Sequence, residues 1–303
     1  MHALRFRVGR GFWVFLAVLA GVRAETLTVA TYNIENYGAA NRMTDAGYRR
    51  KYPKSEDAKA SLRAVIRGLD ADVLVLQEMG PQPYLDELRR DLKGEGVEYP
   101  HAAVLDGPDA ERQLAVLSRR PLTAVVPHRT VTFSYFGAQE TVKRGVLEVR
   151  FATAAGEVTL WAVHLKSRYT DRKDDPESAI RRRGEATAIR AMILERFPQP
   201  ATERFLILGD FNDDKISAAV RRLSHRGATA IAALLPVADL HGTVWTYYYR
   251  KHDSYARVDH VMVSPGLRAA VEGGGARIYD GPGVGGASDH RPVIVTLKME
   301  EGR

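Results

Sequence analysis

Four polar side chains follow a short apolar run near residue 205, and their types could handle a phosphate group. The run covers residues 205–208, and after Gly209 the polar residues are Asp210, Asn212, Asp213 and Asp214. On an extended backbone Asp210 and Asn212 point the same way, because they are two residues apart. A carboxylate beside an amide offers an acceptor and a donor to a phosphate or a metal-bound water. An Asx-turn that only ends a strand explains the same pattern, so other residues must decide.

Polar side chains of similar types lie at the ends of several other predicted strands. They are Asn33; Gln77 and Glu78; His164 and Lys166; Asp259 and His260; and Ser288, Asp289 and His290. Each alone has a simpler explanation, since a buried histidine is usually a core residue and a glutamate after a strand is usually a surface carboxylate. Together they could support metal-assisted attack on a phosphodiester. Glu78, Asp289 and Asn33 would offer oxygen ligands to a hard divalent cation, while other groups activate water and hold phosphoryl oxygens.

Short apolar runs and amphipathic segments are the elements that must position these groups. Strands are predicted at 27–34, 72–77, 114–118, 122–126, 145–151, 157–165, 205–208, 258–263 and 292–297. Helices are predicted at 56–69 with Ser55 as N-cap, 81–92, 176–197 and 217–226, and Asp213 and Asp214 are expected to cap the last one. Residues 36–54 are interpreted as a surface excursion. Runs of strands without helices between them indicate antiparallel pairing, so we expect two packed sheets with helices outside.

The first 24 residues have the composition of a secretory signal peptide. Arg5, Arg7 and Arg10 precede an apolar core at 11–21, and small residues, Val22 and Ala24, stand where a signal peptidase cleaves. An uncleaved anchor is the alternative, although the apolar run is short for a bilayer. We expect a mature chain from about Glu25 that forms one domain over 25–303, has no transmembrane span and is secreted or periplasmic.

Charge and cysteine content narrow the function classes. The 303 residues carry a formal charge of +7, but residues 1–24 hold four arginines and no acid, so the remainder has 40 basic and 37 acidic residues. Net charge therefore does not indicate nucleic-acid binding. Basic clusters such as 49–51 and 181–183 are more typical of solvated faces. The chain has no cysteine, which excludes disulfides, thiolate metal sites and cysteine nucleophiles.

Seven motifs in order make the chain similar to a known superfamily. They are 31–36 (TYNIEN), 75–78 (VLQE), 114–118 (LAVLS), 163–167 (VHLKS), 209–213 (GDFND), 257–260 (RVDH) and 288–293 (SDHRPV). This set resembles the endonuclease/exonuclease/phosphatase superfamily, which includes DNase I-like nucleases, neutral sphingomyelinases and inositol-polyphosphate 5-phosphatases. The resemblance implies an α+β fold, a four-layer sandwich in which two packed, mixed, mainly antiparallel β-sheets are flanked by helices. It places the active site at the rim where the sheets meet.

The resemblance also implies a role for each matching residue. Glu78 would be the principal ligand of Mg²⁺ or Mn²⁺, with Asn33 beside it and Asp289 close enough to share the ion. His290 would be the general base or contact the phosphate, oriented by Asp259, and His164 would bind or protonate the phosphate on its other side. Asp210 and Asn212 would position the attacking water and a phosphoryl oxygen.

Three further residues are interpreted with alternatives. Arg144 matches a phosphate-binding arginine of some nucleases in the superfamily. Lys166 could contact a second phosphate or be a solvated lysine at a strand end. The tyrosine that DNase I-like nucleases carry before the strand at 114–118 is absent, but Glu111 could still partner His164.

We therefore expect an exported, divalent-metal-dependent phosphodiester hydrolase, first of all an endonuclease acting on DNA or RNA as a monomer. The alternative substrate is a phospholipid, sphingolipid or inositol-phosphate headgroup, and a non-catalytic binding module on the same fold is a third reading. The aromatic and basic segment 245–255 could stack bases, sit at a lipid interface or form a packed strand.

Overall fold

The computed structural model describes residues 24–44 and 46–300. The predicted signal peptide lies outside the described residues except for Ala24. The helices are α1 (Glu56–Leu69), α2 (Gln82–Gly94), α3 (Ala179–Arg196), α4 (Ala218–Ser224) and α5 (Val284–Ala287), with short 3-10 helices at Arg250–His252, Pro265–Ala270 and Glu272–Gly274. No helix within the described ranges is long and apolar enough to cross a bilayer.

The strands follow one another along the chain with few helices between them. They are β1 (Ala24–Tyr37), β2 (Ala40–Thr44), β3 (Gly47–Tyr52), β4 (Val73–Met79), β5 (His101–Leu105), β6 (Gln113–Ser118), β7 (Ala124–His128), β8 (Thr132–Tyr135), β9 (Ala138–Thr141), β10 (Val146–Thr153), β11 (Gly156–His164), β12 (Phe205–Asp210), β13 (His225–Arg226), β14 (Thr229–Ala230), β15 (Ala233–Leu234), β16 (Val237–Ala238), β17 (Tyr247–Tyr249), β18 (Ser254–Ala256), β19 (Asp259–Val263), β20 (Ala276–Ile278) and β21 (Val293–Glu300).

Two large sheets form the centre of the molecule, and both are mixed. The first has the order β16-β20-β21-β1-β4-β6-β5, and only β1/β4 and β16/β20 are parallel pairs. The second has the order β15-β19-β12-β11-β10-β7, and only β11/β12 is parallel. The other neighbours in both sheets are antiparallel, and two of these pairs, β5/β6 and β10/β11, are joined directly along the chain.

Three apolar clusters join these sheets and the helices into four layers. One cluster lies between the sheets, with Leu27 and Val29 of β1 packed in the same core as Leu206 and Leu208 of β12. A second packs α1 and α2 on the outer face of the first sheet. A third packs α3 and α4 on the outer face of the second sheet. The predicted fold, a four-layer sandwich, is confirmed.

Local sequence signals place α1 well but not every helix end. Ser55 Oγ accepts a hydrogen bond of 3.3 Å from the amide of Ala58, and α1 covers the predicted residues. The predicted cap of the fourth helix is wrong. Ser217 caps α4 through the Val220 amide, because Asp214 is used earlier, in a turn with the Ile216 amide.

The predicted surface excursion at 36–54 contains a hairpin of β2 and β3 instead of an irregular loop. Its side chains are mostly exposed and basic, so it lacks the apolar alternation that marks a strand packed on a core. The segment at 245–255 also contains a hairpin, formed by β17 and β18.

Candidate active site

The polar site grows out of the apolar layer between the two sheets. Side chains alternate along β12, so Asp210 lies on the same face as Leu206 and Leu208. On β11, His164 continues the inward face of Leu160 and Ala162 in the same way. The layer between the sheets therefore changes from apolar to polar where these strands end.

Strand register then places three of these groups side by side. His164 is paired with Asp210 across β11 and β12, and Asp210 is paired with Asp259 across β12 and β19. We call these three residues the polar row. Each is only 1% exposed. A one-residue slip in either strand pair would turn these side chains to the other face, so the register that builds the core also builds the row.

Asp210 is the centre of the site. Its Oδ1 accepts a 2.7 Å hydrogen bond from the Asn212 amide, and its Oδ2 accepts bonds from the side-chain amides of Asn33 (3.0 Å) and Asn212 (3.1 Å). Asn33 belongs to the other sheet, so this bond ties the two sheets together at the site. Burial and the Asp259 carboxylate raise the pKa of Asp210 to about 7.

Gly209 makes this position of Asp210 possible. Its φ is +146°, and a Cβ atom there would lie 1.9 Å from the carbonyl oxygen of Val163 on β11. Only glycine fits so close to a neighbouring strand. The role that the sequence indicates for Gly209 is therefore steric: it lets the backbone pass β11 while delivering Asp210.

His290 lies against the polar row and is held by Asp259. His290 Nδ1 donates to Asp259 Oδ2 over 2.8 Å, and His290 Nε2 is 4.0 Å from Asp210 Oδ2. The hydroxyl of Thr246 fixes Asp259 by accepting from its backbone amide at 3.1 Å. Burial alone would lower the pKa of His290, but the surrounding carboxylates, chiefly Asp259, raise it well above its usual value.

His164 has the opposite electrostatic character. Burial and the nearby Arg144 guanidinium lower the pKa of His164 well below its usual value. Its Nε2 is 3.5 Å from Asp210 Oδ2, and its Nδ1 has no partner among the described residues. The suggested partnership with Glu111 is wrong, because that side chain is 52% exposed and pairs with Arg112. The site thus combines one histidine whose pKa is lowered with one whose pKa is raised.

Carboxylates gather on the other side of the site, around Glu78 and Asp289. Glu78 Oε2 accepts a 3.0 Å hydrogen bond from the Asn36 amide. Burial and the charges of Glu35 and Glu78 work together to raise the pKa of Asp289 to about 6, against the lowering effect of His290. Such mutual repulsion is relieved by a cation, and carboxylate oxygens suit Mg²⁺ or Mn²⁺. The donor set therefore fits a hard divalent ion.

The backbone around these carboxylates is unusual. Positive φ angles occur at Glu35 (+49°), Asn36 (+54°) and Glu78 (+64°), and also at Asn212 (+51°). Such angles cost energy in residues other than glycine and are found disproportionately at functional sites. Asp210, Asp259 and His290 form a second group whose ligand atoms lie within 4.8 Å of one another. The Asp259–His290 hydrogen bond engages one atom of each side chain, and Asp259 Oδ1 is buried without a hydrogen-bond partner among the described residues.

The two predicted substrate-binding cations are held by the protein. Arg144 is buried, its Nε lies 3.2 Å from Asp109 Oδ2, and its Nη1 donates to the Leu165 carbonyl at 3.2 Å. Lys166 Nζ donates to Ser167 and to the Tyr169 carbonyl, within its own loop. Arg144 therefore flanks His164 electrostatically, whereas the Lys166 ammonium is engaged by the loop that follows it.

Several supporting residues were not identified from sequence. Arg182, read as part of a solvated basic cluster, is 1% exposed and donates to Asp213 Oδ2 at 3.0 Å and to the Lys166 carbonyl at 3.2 Å. The Asp213 carbonyl in turn accepts from His260 Nε2 at 2.9 Å. These bonds fix the loops after β11 and β12, and no local pattern distinguishes Arg182 from its exposed neighbour Arg183.

Comparison with known proteins agrees with this geometry. The family model described as "Endonuclease/Exonuclease/phosphatase family" matches residues 30–290. No curated protein matches the chain significantly.

Solved structures share the fold at low identity. Sphingomyelinase C from Streptomyces griseocarneus is 18% identical, with a TM-score of 0.61 over 90% of this chain and 99% of that one. Truncated TDP2 from Caenorhabditis elegans is 14% identical, with a TM-score of 0.59 over 90% and 97%. The human Nocturnin catalytic domain is 13% identical, with a TM-score of 0.60 over 91% and 97%. The family match, which includes every group of the site, shows that this chain belongs to the endonuclease/exonuclease/phosphatase family.

Proposed function

We propose that this protein is a divalent-metal-dependent phosphodiesterase that cleaves DNA or RNA by attack of water on phosphorus. Members of its family are phosphoric ester hydrolases. The observation that carries the proposal is the polar row, in which Asp210 lies between His164 and Asp259 while His290 is hydrogen-bonded to the same Asp259. It places an acceptor for a proton beside donors for phosphoryl oxygens, which is the arrangement that hydrolysis requires.

Glu78 and Asp289, with Asn33 beside them, would hold the metal ion. A bound Mg²⁺ or Mn²⁺ supplies positive charge to a phosphoryl oxygen and so stabilises the transition state. Asn33 also donates to Asp210 Oδ2, so it connects the metal-binding carboxylates to the polar row. This link keeps the two halves of the site in register across the gap between the sheets.

Asp210 is the group best placed to accept a proton from water. A pKa near neutrality gives a base that is both ionised and basic at working pH, and burial produces that value here. The two side-chain amides that donate to Asp210 Oδ2 orient the carboxylate, and the same oxygen lies 3.5 Å from His164 Nε2 and 4.0 Å from His290 Nε2.

The two histidines would serve the phosphate in different protonation states. The raised pKa of His290, due chiefly to Asp259, favours a protonated ring that would donate from Nε2 to a phosphoryl oxygen, so we propose phosphate contact and not general-base action for it. His164 is neutral and would donate one hydrogen bond from the opposite side, where Arg144 adds positive potential. Together they supply donors for the charge that develops on the phosphoryl oxygens.

Aromatic residues beside His290 favour a nucleic-acid substrate. The Tyr247 ring lies 4.7 Å from the His290 ring, and Tyr249 stacks near Tyr247 with the ring centres 6.2 Å apart. Aromatic faces at a phosphate site can stack on bases of an unpaired strand.

We also propose that the protein is exported to the periplasm or medium and acts as a monomer. The proposal of export rests on the composition of residues 1–24.

A parallel substrate panel tests the function. The protein starting at Glu25 is incubated with plasmid DNA, RNA, sphingomyelin vesicles and a phosphomonoester, each with Mg²⁺, Mn²⁺ or EDTA. We expect cleavage of a nucleic acid that needs the metal and stops in EDTA. Hydrolysis of sphingomyelin alone would contradict the proposed substrate class, and full activity in EDTA would contradict the metal dependence.

A further inference from the structure

The β2–β3 hairpin is a basic and aromatic surface that the proposed chemistry does not use. Its second strand reads Tyr48-Arg49-Arg50-Lys51-Tyr52. The three cations are exposed, and their side chains have no ion-pair partner among the described residues. Tyr48 is 54% exposed and Tyr52 is 45% exposed. Two exposed tyrosines therefore flank three consecutive cations on a surface that the rest of the described structure leaves open.

The base of this hairpin is attached directly to the carboxylate side of the site. The Arg42 guanidinium donates to the carbonyls of Asn36 and, at 3.1 Å, Gly38. At the other end, buried Lys54 Nζ donates to the Glu35 carbonyl at 3.3 Å. The same turn presents the Asn36 amide to Glu78 at 3.0 Å. The hairpin thus projects from the turn that positions the candidate metal ligand, within reach of a substrate bound there.

The chemistry of the hairpin selects a polyanion in solution over a membrane. A segment that inserts into a bilayer presents several large apolar residues at its tip. Here Met43, 77% exposed and paired with Tyr48, is the single large aliphatic side chain of the described hairpin, and three consecutive cations follow Tyr48. Unpaired cations spaced among exposed aromatic rings suit a single strand of nucleic acid, since the cations contact phosphates and the rings stack on bases.

We propose that the β2–β3 hairpin binds the backbone of a polynucleotide on nucleotides outside the scissile phosphodiester. This inference rests on the proposed function and adds where the remainder of the strand lies. Binding there strengthens the attachment of long substrates and leaves the chemical step alone. A small phosphodiester that fills only the metal site does not reach the hairpin.

The test compares long and short substrates in the variant R49A/R50A/K51A. For a long single-stranded oligonucleotide we expect KM to rise at least tenfold with little change in kcat. For bis(4-nitrophenyl) phosphate we expect both constants to stay within twofold of wild type. The salt slope of oligonucleotide binding should fall by about 2, because each lost phosphate contact on a single strand removes roughly 0.7.

The matched control is R196A/R222A/R226A, which removes three exposed arginines at the end of α3 and around the C-terminal end of α4. These residues lie on the outer helical layer towards the end of the sheet where β12 begins, away from Asp210. An equal rise in KM for both variants would overturn the proposal, because any cationic surface would then suffice.

A binding measurement separates this inference from the catalytic one. Fluorescence anisotropy with the same oligonucleotide is measured in EDTA, where no hydrolysis occurs. If the hairpin variant binds more weakly and the control variant does not, the inference is supported. This holds even if the protein cleaves no substrate, because a lack of cleavage would contradict the proposed function and not the binding site. Unchanged oligonucleotide binding, with loss of binding to anionic phosphatidylserine vesicles instead, would overturn the inference in favour of a membrane surface.

Discussion

The polar row and the hairpins beside it belong to two different kinds of structure. The row is buried, and its positions follow from the hydrogen-bonded register of β11, β12 and β19 in the second large sheet. The β2–β3 and β17–β18 hairpins are separate two-stranded sheets whose side chains are mostly exposed or half-buried. A shift of register in the row would disturb the core, whereas the hairpins can change their residues without repacking it.

Under the proposed function, this difference separates the chemistry from the choice of substrate. A register shared with the apolar core holds reacting groups in place with little freedom, which catalysis by positioned acids and bases requires. Exposed hairpins offer surface that can suit different polymers or headgroups. Family members acting on different esters can therefore share the row, and we expect substitutions in the two regions to fail in different ways.

The largest effect is expected for D259N, which keeps the shape of the side chain but removes the charge that holds His290 protonated. We predict a drop in kcat of roughly 10²–10⁴-fold on every substrate, long or short. Steady-state kinetics on bis(4-nitrophenyl) phosphate and on an oligonucleotide check this. A loss confined to the oligonucleotide would assign Asp259 to substrate binding instead.

An effect of similar size, but on the free energy of unfolding, is expected for R182M. The substitution leaves Asp213 without its cation in a buried site, which typically costs about 3–5 kcal/mol. Urea unfolding measures the change, and R183M, which alters the exposed neighbour, is the control. Equal stability of the two variants would show that the Arg182–Asp213 bond contributes nothing to the fold.

His260 makes stability depend on pH. Burial lowers its pKa from the usual 6.5 to about 4, so the folded protein holds it neutral while the unfolded chain binds a proton. The full contribution is therefore present above about pH 6.5 and is lost as pH falls towards 4, by up to about 3 kcal/mol. H260Q keeps a donor for the Asp213 carbonyl and cannot titrate. Its stability should fall less than that of wild type between pH 7 and pH 4.5, and parallel losses would contradict this.

The smallest effect is expected at the rim, for Y249A. Removing one partly exposed stacking surface should weaken the binding of a single-stranded oligonucleotide by about 1 kcal/mol. KM should therefore rise roughly fivefold, with kcat unchanged. Initial rates over a range of oligonucleotide concentrations measure it. A fall in kcat on bis(4-nitrophenyl) phosphate would instead show that Tyr249 contributes to the chemical step together with the polar row.

The sequence predicts the core strands and helices better than the loops and surface hairpins. Helix α1 could be placed because its cap and its apolar spacing are local, and buried strands such as β12 stand out as apolar runs. The candidate site groups could be selected because they follow those runs. Their assigned roles remain predictions, since only the positions are visible in the structure.

What could not be predicted depends on partners distant along the chain. Arg182 is buried because Asp213, 31 residues away, compensates its charge, while Arg183 beside it is exposed. The pairing of Arg144 with Asp109 likewise depends on loops that meet only in the folded molecule. The β2–β3 hairpin has no core-facing pattern to reveal it.

The most direct test of the polar row as one catalytic unit is a double-mutant cycle of D210A and H290A. We predict that each single variant loses roughly 10²–10⁴-fold in kcat/KM on bis(4-nitrophenyl) phosphate while circular dichroism stays native. When two residues act together, the free-energy losses of the single variants do not add. The kcat/KM of the double variant should therefore lie less than about tenfold below that of the less active single variant. Wild-type activity in the double variant, or a full multiplication of the two losses, would contradict a single catalytic unit.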